Sequence, residues 1–115
     1  MNEIAAGTGV DAASIALAHQ PLAADDALSG TPSAALHPLA TVGAAEVGIW
    51  EMTPGTARDT EVDEVFVVIA GRARITFEDP AVADLDVSPG SVVRLAEGMR
   101  TVWTVFETLR KIYIA

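Results

Sequence analysis

From Glu46 onward, turn signals punctuate the chain at regular intervals: Thr53-Pro54-Gly55, Ala70-Gly71, Glu78-Asp79-Pro80, Ser88-Pro89-Gly90 and Ala96-Glu97-Gly98. Strands fit such intervals. The segments between the turns are rich in β-branched and aromatic side chains, so strands are predicted over 47–52, 62–70, 72–77, 85–87, 91–95, 101–106 and 109–114. A run of short strands of this kind closes into a sandwich or a barrel. Within 72–77, Ala73, Ile75 and Phe77 alternate with Arg72, Arg74 and Thr76, which gives that strand one buried and one solvated face. The unbroken apolar run Val65 to Ile69 instead suits a strand covered on both sides.

The first 45 residues differ in character: they hold fourteen alanines, no Lys or Arg, and Pro21, Gly30, Pro32 and Pro38. They have too few large apolar groups to offset the entropy of ordering alone, so 1–45 is predicted to be an irregular arm that packs on the barrel or across a dimer. Asp11 is placed to cap a short helix through Ala12 to Ala18 that stops before Pro21.

Charge and composition narrow the function. Sixteen acidic side chains against seven basic ones give a net charge of -9, which opposes nucleic acid and anionic membrane surfaces as partners. No apolar run is long enough to span a bilayer, and the first twenty residues lack the basic start of a secretory signal, so a cytoplasmic location is expected. The absence of cysteine excludes disulfides, thiolate zinc, iron–sulfur clusters and a cysteine nucleophile. No glycine-rich phosphate loop and no Ser-His-Asp set is present.

Glu64, six residues and Gly71, followed downstream by Pro89-Gly90 and the turn Ala96-Glu97-Gly98, carry a family pattern. The chain resembles a cupin, a small jelly-roll barrel (double-stranded β-helix). Its first motif ends in Glu, six residues and Gly, and its second opens with Pro-Gly. The likeness is nearer to the small single-domain cupins related to ethanolamine-utilisation protein Q and to ureidoglycine aminohydrolase. Four fragments carry it: Gly48-Ile49-Trp50-Glu51 with Pro54-Gly55, Asp63-Glu64 to Gly71, Trp103, and Leu109-Arg110-Lys111-Ile112-Tyr113. The resemblance implies an all-β jelly-roll barrel over 46–115. At the positions where metal-binding cupins carry three histidines it finds Ala57, Asp59 and Thr101, with Arg58 and Thr60 as the first pair if that gap is one residue shorter, and His19 and His37 fall in the arm. Glu64 with at most Asp59 is a weak oxygen site, so no metal cofactor is expected.

The resemblance turns Glu64 into the barrel, where poor solvation raises a carboxyl pKa and suits it to proton transfer. The other reading makes Glu64 a structural acceptor for neighbouring groups, or for Arg58 or Arg100, that holds strands in register. Trp103 shares a strand face with Thr101 and either walls a ligand pocket or fills the core. Asp59, Glu61, Asp63 and Glu64 read as a solvated loop running into a strand, and parity lets only part of that cluster face a pocket. Trp50 and Tyr113 read as core or interface aromatics. The expected function is a metal-independent pocket for a small polar metabolite, with Glu64 as the acid or base of a hydrolysis or proton transfer and Asp59, Arg100, Thr101 and Trp103 binding the ligand. The alternative is a filled, non-enzymatic accessory cupin. A homodimer is expected, because the barrel must cover its sheet edges and its apolar strand.

Overall fold

The computed structural model describes residues 3–115, so Met1 and Asn2 of the predicted arm lie outside the described residues. The strands are β1 (Gln20–Pro21), β2 (Ala27–Ser29), β3 (Ser33–Val42), β4 (Ala45–Met52), β5 (Gly55–Thr60), β6 (Glu64–Phe77), β7 (Leu85–Val87), β8 (Val92–Leu95) and β9 (Arg100–Ile114). All pairings are antiparallel, and β9 is the hub. Its second half lies between β4 and the start of β6, while its first half lies between β5 and the end of β6. That double pairing rolls the sheet into a jelly-roll barrel.

The predicted strand pairs 62–70/72–77 and 101–106/109–114 are each one long bent strand, because β-bulges replace the expected breaks. In β6 the register shifts on both sides of Ala70, with Gly71 at φ +85°. The inward set of β6 therefore passes from Glu64, Phe66 and Val68 to Ala73 and Ile75, all buried. Arg72 and Arg74 face solvent and pair with Glu107 and Asp86, as the alternation implies. The outward Val65, Val67 and Ile69 are only half-buried within the single chain. Val62, placed on a strand by the sequence reading, sits in an exposed loop.

The segment read as an irregular arm is more ordered than composition implies. Residues 20–42 supply β1, β2 and β3, and β3 pairs with β4 along nearly its whole length around a bulge after Pro38. Composition misses this because sheet edges are ordered by their neighbour's hydrogen bonds as well as by their own apolar content. Residues 3–19 supply no strand. The helix expected at 12–18 is a single turn: Asp11 caps Ala13 and Ser14 and accepts from Ile15, but no helix follows. The Arg110 guanidinium takes the carbonyls of Ala12 and Ile15 at 2.9 Å each, and the Ala12 carbonyl would otherwise serve the next turn. Arg110 in turn donates to Glu51 at 2.7 Å, and the Ile4 N–H donates to the Leu39 carbonyl, so the irregular segment packs on its own barrel. No helix among the described residues is long and apolar enough to cross a membrane.

The barrel interior is filled with Phe66, Val68, Ile75, Leu95, Leu109 and Met52, each almost wholly buried. Polar groups gather at the upper end, around the start of β6 and the two tryptophans.

Candidate functional site

Strand parity places Leu109, Lys111 and Tyr113 of β9 inward, and Lys111 is the chain's single lysine. It lies across β9 from Trp50 on β4 and from Val68 on β6. Its Nζ is 3.4 Å from both carboxylate oxygens of Glu64. It also stands over three aromatic faces, 4.2 Å from the Phe66 centroid and 4.8 Å from those of Trp50 and Trp103. The charged form is thus held by a carboxylate and three ring quadrupoles. Burial pushes the amine pKa down, and Glu64, Glu61 and Asp59 oppose that shift.

Beside the pair, Glu61 gathers the polar ends of β9. Its Oε2 accepts from the Thr101 hydroxyl at 2.6 Å and from the Trp103 indole N–H at 3.0 Å. Trp103 packs obliquely on Trp50 and Phe66, with centroids 5.5 and 5.6 Å apart. Opposite it on β5 stands Ala57, whose small side chain leaves the ring its place. Gly48 does the same for Tyr113, since a Cβ there would overlap the phenol ring that donates to Glu46 at 2.7 Å. Burial, then the Glu46 contact, raises the Tyr113 pKa.

A cavity of about 300 Å³ opens above this group, walled by Trp50, Asp59, Glu61, Glu64, Trp103 and Lys111, with Leu36 and Val62 at its lip. Asp59 stands at the rim, where partial burial and then Glu61 raise its pKa from 3.8 to about 6. Between those values the folded chain holds a proton that the unfolded chain releases, so Asp59 lowers stability as pH rises through that window. Asp59→Asn is expected to match the parent's melting temperature near pH 4 and to exceed it by a few degrees at pH 8. Equal melting at both pH values would show that the carboxyl is not perturbed.

Of the residues singled out from the sequence, Glu64, Asp59 and Trp103 meet at this cavity. Thr101 is buried behind its wall as the partner of Glu61. Arg100, its neighbour on β9, faces the opposite way, exposed and paired with Glu78 at 3.6 Å. It lines an adjoining open groove of about 730 Å³, which Asp59 and Thr101 also line, with the exposed Arg58 and Asp26. The partner of Glu64 is neither Arg58 nor Arg100 but Lys111. Sequence reasoning also missed Glu61. Alternation was the available signal for Lys111: it falls on the inward parity of Leu109 and Tyr113.

The donors do not suit a transition metal. Among the described residues no three His, Asp or Glu side chains are placed to hold a metal ion, and the carboxylate of Glu64 is taken by an ammonium.

Barrel closure, the Glu64-to-Gly71 bend and the inward glutamate define a cupin. The chain belongs to the EutQ-like cupin domain family, whose model matches residues 39–113. Among solved structures it is similar to the EutQ protein of Clostridium difficile, with 23% identity, a TM-score of 0.61, and 72% of this chain and 67% of that one covered. A protein of unknown function from Pseudomonas syringae pv. tomato matches at 24% identity and a TM-score of 0.75 over 91% of this chain, which spans 46% of that protein. A putative ethanolamine utilization protein Q from Salmonella typhimurium matches at 14% identity and a TM-score of 0.60, with 89% of this chain and 96% of that one covered. No curated protein matches the chain.

Proposed function

We propose that the upper end of the barrel is a metal-independent pocket for a small polar metabolite. The observation that carries this reading is the Glu64–Lys111 pair, buried at the edge of a cavity while the barrel below is filled. A buried ion pair is a poor device for stability, because desolvation offsets its attraction. It is, however, a ready source of one proton donor and one acceptor at a fixed spacing. Glu64 then serves as the acid or base of a hydrolysis or proton transfer, Lys111 supplies the positive charge, and Trp50 and Trp103 form the apolar wall. Glu46, Asp59 and Glu61 border the cavity and disfavour anionic ligands, leaving neutral or cationic compounds. The ethanolamine in the name of one structural neighbour is of that kind.

Titration with ethanolamine, propanamide and propanal tests the pocket. In a Trp50→Phe background Trp103 is the sole tryptophan, and at least one probe is expected to perturb its fluorescence saturably. Glu64→Gln is expected to weaken that response at least tenfold. No response from any probe would favour the filled, accessory cupin, and an undiminished response in Glu64→Gln would make Glu64 structural.

The half-buried Val65, Val67 and Ile69, with the exposed Val92 and Ile114 beside them, form an apolar outer face that supports a homodimer. Light scattering at micromolar concentration is expected to give twice the chain mass. Val67→Lys should lower it to one chain, and a parent already monomeric would refute the dimer.

A further inference from the structure

We propose that Lys111 is a covalent site, forming a Schiff base with a small neutral or cationic aldehyde or ketone that enters the cavity beside it. This rests on the pocket reading above and names its reacting group. Five of the six arginines are exposed, whereas the single lysine lies inside the barrel, flanking the cavity and 3.4 Å from both oxygens of Glu64. Arginine would hold a structural charge at least as well, but it does not give up its proton, and a lysine amine does. The amine also has a carboxylate within reach to take that proton, which is the arrangement that activates such a nucleophile.

The steps balance without an oxidant or reductant. The ammonium passes a proton to Glu64, and the freed Nζ lone pair adds to the carbonyl carbon. A proton moves from nitrogen to the former carbonyl oxygen, giving a carbinolamine. Glu64 then returns its proton to that hydroxyl, water leaves, and an iminium remains on Lys111. The net change is ammonium plus carbonyl to iminium plus water. One positive charge occupies the same buried position before and after, so Phe66, Trp50, Trp103 and Glu64 hold the product as they hold the ammonium. The acidic border, Glu46, Asp59 and Glu61, disfavours carbonyl compounds that carry a carboxylate.

Reductive trapping tests this on the full chain. The protein is incubated near pH 7 with propanal and cyanoborohydride, or with glyoxylate and cyanoborohydride, and adducts are located by peptide mapping. The chain holds only two kinds of amine, the N-terminus and Lys111, so the N-terminus is an internal reference in each digest. Propanal is expected to label Lys111 at least as fast as the N-terminus. Glyoxylate should label it at least tenfold more slowly, relative to that reference, than propanal does. Glu64→Gln should slow the Lys111 reaction at least tenfold while leaving the N-terminal rate unchanged. Labelling of the N-terminus alone overturns the proposal, as does labelling of Lys111 only in denaturant. If the tryptophan fluorescence still responds to propanal in that event, the covalent step fails and the pocket stands. If no probe of the panel moves it, both fail.

Discussion

Replacing Gly71 with alanine is expected to destabilise the chain by about 4 kcal/mol or more and to lower its melting temperature by roughly 20 °C. Two effects add. The backbone of Gly71 sits at φ +85°, which a residue with a Cβ adopts at a cost, and the added Cβ would overlap the backbone carbonyl of Thr108 on β9. That carbonyl belongs to the paired strand and cannot rotate away as a side chain does. Gly90→Ala is the control, because Gly90 has a similar φ of +97° but open space where the Cβ would point. Its expected cost is about 1 kcal/mol, from conformation alone. Equal melting shifts in the two variants would show that β6 and β9 do not approach at Gly71 as described.

Breaking the buried ion pair from one side is the second large effect. Lys111→Met leaves the Glu64 carboxylate without its ammonium, and Glu64→Met leaves the ammonium among three aromatic rings without its counterion. Each single change is expected to cost about 3 to 5 kcal/mol, the usual penalty of an unpartnered buried charge. The double variant Glu64→Met/Lys111→Met removes both charges and fills similar volume, so it should return to within about 1 kcal/mol of the parent. Denaturant midpoints of the four proteins read this directly. If the single variants are as stable as the parent, or if the double variant loses the sum of the two, the side chains do not form a coupled buried pair.

The barrel was legible because its signals are local. Turn dipeptides and β-branched runs locate the strands, and the alternation in 72–77 correctly turns Ala73 and Ile75 inward and Arg72 and Arg74 outward. What failed was decided by a neighbouring strand. The Ala70-Gly71 signal reads as a chain break, yet β9 pairs on both sides of it, so the glycine makes a bend inside one strand. Likewise β3 is alanine-rich and ordered by its ladder with β4. The candidate site was half legible for the same reason. Glu64, Asp59 and Trp103 follow from the family resemblance. Arg100 was expected to bind the ligand, but alternation against Thr101 turns it outward. Lys111 went unread because a lysine on a strand is ordinarily solvated, and only the buried company of Leu109 and Tyr113 shows that this one is not.

A single lysine also makes the central feature directly observable. Protein grown with ¹⁵N-labelled lysine carries one side-chain nitrogen signal, from the Nζ of Lys111, and no other lysine can obscure it. Burial against Glu64 at the edge of a ligand pocket predicts a signal displaced from that of free lysine, moved by Glu64→Gln and moved again, saturably, by at least one of ethanolamine, propanamide and propanal. A signal at the free-lysine position that titrates near the ordinary lysine pKa and ignores both Glu64→Gln and all three probes would contradict it.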